Sequence, residues 1–118
     1  MTTEAIDVVD RYERGERTFR ELEFSEGASF KGQNLSGAIF ERCWFMSVDF
    51  SNAVLRRTSF REAHLKCCDF TGADLTGADL RDSGIDGATF TNARLNDARV
   101  EGATAYGYVF KDGDELKI

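Results

Sequence analysis

Residues 68–82 read Cys68-Asp69-Phe70-Thr71-Gly72, Ala73-Asp74-Leu75-Thr76-Gly77, Ala78-Asp79-Leu80-Arg81-Asp82. One five-residue phrase is spoken three times: a small residue, Asp, Leu or Phe, then two polar or glycine positions. Period five matches neither the 3.6 of an α-helix nor the 2.0 of a long strand. It suits a solenoid whose unit is one very short strand segment and one bend.

Outward from this stretch the phase continues both ways. Large apolar residues fall at Phe30, Leu35, Phe40, Phe45, Phe50, Leu55, Phe60, Leu65, Phe70, Leu75, Leu80, Ile85, Phe90, Leu95 and Val100. Ala105 and Phe110 keep the beat more loosely. Phe19 and Phe24 begin it, and the step from Phe24 to Phe30 holds one extra residue, which Gly27 absorbs in a turn. Two residues before each large position lies a small one, and ten of the sixteen from Ala28 to Ala103 are alanine. In a strand, residues i and i−2 share a face. Each unit therefore points one small and one large apolar side chain inward. Glycines at 32, 37, 72, 77, 87 and 102 recur at one corner, where a positive φ is expected.

These units resemble the pentapeptide repeat family, whose motif is A-(D/N)-(L/F)-X-X. Residues 73–82 match it in both units, and about 80 residues follow its phase. The resemblance implies an all-β solenoid, a right-handed quadrilateral β-helix with four units per coil. Positions twenty apart then stack, which would align Phe30, Phe50, Phe70, Phe90 and Phe110 in one column and Leu35, Leu55, Leu75 and Leu95 in another. Some members of the family mimic a DNA duplex, bind DNA gyrase and protect cells from quinolones.

Residues 3–14 read as a short amphipathic helix with Ala5, Val8, Val9 and Tyr12 on one face and Ile6 beside them. Thr3 is the expected N-cap and Gly15 the residue that stops it. The expected division is a capping helix and turn at 1–16, the β-helix at 17–110 and a polar tail at 111–118. The last coil is apolar, with only Leu116 and Ile118 in the tail to cover it. This suggests a homodimer through Tyr106, Tyr108 and Phe110.

The net charge of −6 is uneven. Residues 1–27 carry −4, residues 28–103 only −1, and residues 104–118 again −1. A DNA mimic needs a rod with a strong negative field, so the near-neutral repeat body disfavours that role. Direct nucleic-acid binding is not expected. There is no basic and apolar leader at the N-terminus and no membrane-length apolar run. The odd set Cys43, Cys67 and Cys68 forms no disulfide framework, and a reducing, cytoplasmic location is expected.

Side chains outside the two inward registers face water. Glu41, Arg61, Arg81 and Glu101 run beside Arg42, Glu62 and Asp82 as a surface ion-pair ladder of little energetic weight. Trp44, Met46, His64 and Lys66 share another face, with Tyr106 further along. An outward Trp with Met is the expected partner contact, because such residues are enriched in interface cores. Cys43 and Cys68 fall in the inward register while His64 and Cys67 point out, so the four do not converge on a metal. With one His, no nucleophile elbow and no phosphate loop, no catalytic site or cofactor is expected. Asp69, Asp74 and Asp79 recur because the unit recurs, as corner residues. The sequence therefore indicates a non-catalytic scaffold that binds a protein whose identity it does not give.

Overall fold

In a computed structural model that describes residues 2–116, the chain winds into a four-sided β-helix measuring 35 × 27 × 21 Å along its principal axes. Each side adds one bridged residue per coil to a parallel ladder. The four ladders are Ser29–Asp49–Asp69–Thr89, Asn34–Val54–Asp74–Arg94, Thr18–Ile39–Ser59–Asp79–Arg99 and Glu23–Trp44–His64–Gly84–Thr104. The step is 20 residues along the body. It is 21 at Thr18–Ile39 and Glu23–Trp44, where the extra residue of the first coil is spent. That residue delays the corner by one position: the turn is closed by Ala28 N–H to Ser25 C=O, with Gly27 at φ +83°.

From Phe30 onward the corners share one plan, except that the corner at Met46-Ser47 bends without the closing hydrogen bond. The N–H three residues after a large inward residue donates to that residue's carbonyl, as Ala73 does to Phe70 at 3.0 Å. The residue before that donor sits at positive φ, as in a type II turn. Glycine fills this place at 72 and 77, but Arg42, Asn52, Glu62 and Asp82 adopt φ of +58°, +57°, +61° and +60° there. The corner conformation is thus imposed by the coil, at about 1 kcal/mol for a residue with a Cβ.

Inside the coil the two registers close on each other. From Phe19 to Leu80 every large inward residue is at most 2% exposed. Phe30, Phe50, Phe70 and Phe90 stack with centroids 5.3, 5.0 and 5.1 Å apart and rings within 10° of parallel. Phe40 stacks between Phe19 and Phe60 in a second column. The polar members of the small register are satisfied internally. Thr58 donates to Leu35 C=O at 3.0 Å, and Ser83 to Leu80 C=O at 2.7 Å. Gln33 departs from that register and is exposed.

The N-terminal end is covered by helix α1, Ala5–Glu13. Val8 is fully buried, and Ala5, Val9 and Tyr12 pack on the coil while Ile6 stays exposed. Tyr12 O–H donates to Ser36 C=O at 2.7 Å, and the Arg11 guanidinium lies 5.0 Å from the Phe19 ring centre. Gly15, at φ +101°, ends the helix as expected. Thr3 is not its N-cap. Thr3 is drawn into the ladder instead, bridging Phe24 and donating its N–H to Glu23 C=O at 2.6 Å. The cap position falls to Glu4, which makes no side-chain capping bond.

The other end departs from the twenty-residue rule. The parallel ladder reaches Gly84–Thr104, and the chain then reverses into an antiparallel hairpin of β1, Thr104–Ala105, and β2, Tyr108–Val109. Tyr106 and Gly107 make its turn at φ +50° and +83°. Phe110 therefore leaves the column that the spacing assigned to it: it pairs back to Ala103 through its N–H and packs edge-on against Tyr108. Leu116 packs against the core near this hairpin, so the end is partly covered. Ile118, expected to help cover it, lies outside the described residues.

Candidate functional site

The Trp44 face is the ladder Glu23–Trp44–His64–Gly84–Thr104 together with the residues two positions on. One-residue strand segments hold these side chains pointing outward on a backbone bonded to both neighbouring coils. Toward the preceding coil, Trp44 N–H donates to Leu22 C=O at 2.8 Å and its carbonyl accepts from Phe24 N–H at 3.1 Å; toward the next, Cys43 C=O accepts from His64 N–H at 2.9 Å and Phe45 N–H donates to His64 C=O at 2.8 Å. Trp44 is 43% exposed and leans on His64, ring centres 4.1 Å apart and planes 40° off parallel. Trp44, Met46, His64 and Lys66 line one shallow cleft of about 360 Å³, which Gly84, Asp86 and Thr104 complete. The four residues singled out from the sequence are thus brought together.

Three wall residues were not singled out. Continuing in steps of twenty from Trp44 and His64 reaches Gly84 and then Thr104, and from Met46 and Lys66 the same step reaches Asp86. The signal was present, but a search for chemically conspicuous side chains passes over a glycine. Tyr106, expected further along this face, is carried away by the hairpin turn. It is 80% exposed and lines a separate cleft with Ile85, Gly87, Ala88, Phe90 and Phe110. Tyr108 is 52% exposed and donates its hydroxyl to Asp114 at 2.8 Å, while Phe110 is half-buried.

The charged face forms the ladder that the sequence suggested, with altered partners. Arg20 pairs with Glu41 at 3.0 Å, Arg42 with Glu62 at 2.6 Å and Arg61 with Asp82 at 3.9 Å. Arg81 turns back to Asp79 at 2.8 Å instead of reaching along the ladder. Such solvated pairs add little stability.

The cysteines sit apart in role. Cys43 and Cys68 are buried, their thiols donating to Phe19 C=O at 2.8 Å and Phe45 C=O at 3.1 Å. Burial pushes these thiols up to about 11 and about 12, so they behave as small core residues. Cys67 is exposed at a corner.

The repeating aspartates are corner residues. Asp69 and Asp74 each accept at Oδ1 from the backbone N–H and the hydroxyl of the threonine two residues on, the hydroxyl contacts being 2.6 Å. Asp49 does the same with Ser51, and Asp79 with the N–H and guanidinium of Arg81. The Thr76 hydroxyl, with the Thr76 N–H, holds Asp74 below its usual value. For Asp49 and Asp79 desolvation pushes upward, but the hydrogen bonds from Ser51 and Arg81 outweigh it and the net shift is downward. A depressed folded pKa contributes stability above the unfolded value and loses it as pH falls through the folded one. Denaturant melts are therefore expected to weaken below about pH 4. Asp74→Asn should be less stable than wild type at pH 6 and lose that difference at low pH. A constant difference between the two pH values would remove the carboxylate from the account.

The chain is a four-sided β-solenoid with apolar columns inside and exchangeable side chains outside. A family model, pentapeptide repeats, matches it with 8 copies over residues 26–52 and 43–82. The chain belongs to the pentapeptide repeat proteins, and the right-handed quadrilateral β-helix is its architecture.

Among solved structures it is similar to alr5209, a pentapeptide repeat protein from Nostoc PCC 7120. The two share 26% identity over 98% of this chain and 91% of that one, with a TM-score of 0.54. It is also similar to QnrB1, a plasmid-mediated fluoroquinolone resistance protein, at 18% identity, 73% and 64% coverage and a TM-score of 0.56. HetL from the cyanobacterium Nostoc sp. strain PCC 7120, involved in heterocyst differentiation regulation, matches at 24% identity and a TM-score of 0.46. That match covers 79% of this chain, which spans 49% of HetL. No curated protein matches the sequence significantly.

Proposed function

We propose that the protein is a non-catalytic interaction scaffold that presents the Trp44 face to a protein partner. The observation that carries this is Trp44 itself: a large aromatic side chain, 43% exposed, propped on His64 above a backbone fixed from both sides. Trp is enriched among the residues that carry most of the binding energy of an interface, and Met among interface residues generally. The mainly filled interior supports a role at the surface, since the large inward residues of the central coils leave no solvent path between them. We place it in a reducing compartment, the cytoplasm, because all three thiols are free and Cys67 is open to solvent. Among the described residues no helix is long and apolar enough to cross a membrane.

The test is affinity capture from native lysate with immobilised wild type and Trp44→Ala. The substitution should leave the denaturant melt nearly unchanged, because the indole lies outside the core. A species retained by wild type should be lost with the variant, and identical retained sets would sink the reading. A gyrase-directed DNA mimic is the competing idea. Likeness to QnrB1 at 18% identity speaks for the fold alone, and a repeat body of net charge −1 lacks the field such a mimic uses.

A further inference from the structure

Of the eleven glycines in the chain, ten adopt positive φ and serve turns. Gly84 alone does not. It sits in a strand position, bridged to His64 on one coil and Thr104 on the next. A Cβ built on it would meet nothing within 4 Å. Neither backbone conformation nor crowding calls for glycine there, and glycine within a strand costs conformational entropy and side-chain packing. Its neighbours on the same ladder carry Trp, His and Thr. What glycine does provide is a gap beside His64, one rung beyond the tilted Trp44–His64 pair.

The gap has a defined shape. Coils are spaced about 4.8 Å apart, a little more than the thickness of an aromatic ring. A ring laid at the Gly84 level would meet the face of His64 opposite the tilted Trp44 ring and extend the row of rings by one member. Its floor is already satisfied: Gly84 N–H donates to Ala63 C=O at 3.0 Å and its carbonyl accepts from Leu65 N–H at 2.8 Å. The floor therefore offers stacking surface and asks for no hydrogen bond. Polar groups stand only at the walls, where Asp86, Lys66 and Thr104 line the same cleft. A carboxylate at the wall suits a ring with a donor on its edge: the indole N–H of Trp, the hydroxyl of Tyr or the imidazole N–H of His, of which Trp and Tyr bring the larger stacking face.

Resting on the interaction-face reading above, we propose that the Gly84 gap receives a Trp or Tyr side chain of the protein partner, stacked on His64 with its polar edge toward Asp86. The partner is thereby specified by an exposed aromatic residue, and the part Gly84 plays is the space it leaves.

The experiment uses the full chain and Gly84→Val. Valine is at ease in a strand and would have open space around it. Val54 occupies the corresponding position on another side of the coil. The variant should therefore resist denaturant at least as well as wild type. Capped Gly-Trp-Gly at millimolar concentration is titrated while the His64 ring protons are followed by NMR. A saturable upfield shift is expected with wild type, with loss of that shift in Gly84→Val and none with Gly-Leu-Gly. An equal shift in Gly84→Val overturns the proposal, as does a response to adenosine monophosphate in place of the Trp peptide. If lysate capture depends on Trp44 but not on Gly84, the interaction face stands and the gap proposal falls. If capture depends on neither, the face reading itself fails.

Discussion

Phe70→Ala is expected to lower the free energy of unfolding by about 3–5 kcal/mol. Phe70 is fully buried and stacks between Phe50 at 5.0 Å and Phe90 at 5.1 Å, with rings within 3° of parallel. Phe60 meets it edge-on at 5.8 Å. Removing the ring leaves a void whose walls are other rings, held in place by ladders above and below. Little collapse is possible, so the cost belongs at the upper end for large-to-small changes. Thr91→Ala supplies the contrast, because Thr91 is exposed and its change should cost under about 0.5 kcal/mol. The neighbouring Thr71, outward by the same phase, is a poor neutral control. Its hydroxyl donates to Asp69 at 2.6 Å, and Thr71→Ala should cost about 1 kcal/mol. Denaturant melts of the three variants check this order, and equal losses for Phe70 and Thr91 would reject the inward phase.

The contrast between Phe70 and an outward threonine was readable from the sequence because it depends only on the period; the difference between Thr71 and Thr91 rests on the hydrogen bond to Asp69. Any chain that repeats a large and a small apolar residue every five positions must point both inward, whatever its corners contain. The corners themselves were half legible. Glycine at 72 and 77 announced the positive φ, but Arg42, Glu62 and Asp82 adopt it too, and nothing in those residue types says so. Phe110 shows where the rule stops. The twenty-residue column assumes that the chain continues in the parallel sense. Tyr106-Gly107 can instead make a tight turn, and residues 108–110 then find antiparallel partners in 103–105. Thr3 fails for a similar reason, since the unpaired edge at Glu23 claims its backbone before the helix can use it as a cap. On the Trp44 face the conspicuous side chains were found and the gap was not. A pattern search responds to what a residue carries, and Gly84 matters through what it lacks.

Deleting residues 1–15 is expected to turn a well-behaved protein into one that aggregates or binds a hydrophobic dye. The first coil is built from Phe19, Phe24 and Phe30, at most 2% exposed, and α1 packs against the same core through Val8, Val9 and Tyr12. Without the helix, their outer faces and the Arg11–Phe19 contact open to water together. The backbone is uncovered as well. Glu23 C=O loses the Thr3 N–H, and Ser36 C=O loses the Tyr12 hydroxyl. An apolar cross-section rimmed by unpaired strand groups is a template for further chains, and solenoids need a terminal cap for this reason. Val8→Asp should act in the same direction without shortening the chain, because it would bury a carboxylate where Val8 is fully enclosed. Light scattering and dye fluorescence on both variants measure the effect. A truncated chain that stays monomeric, dye-silent and as resistant to denaturant as wild type would show that the first coil closes itself, and that α1 serves some purpose other than covering it.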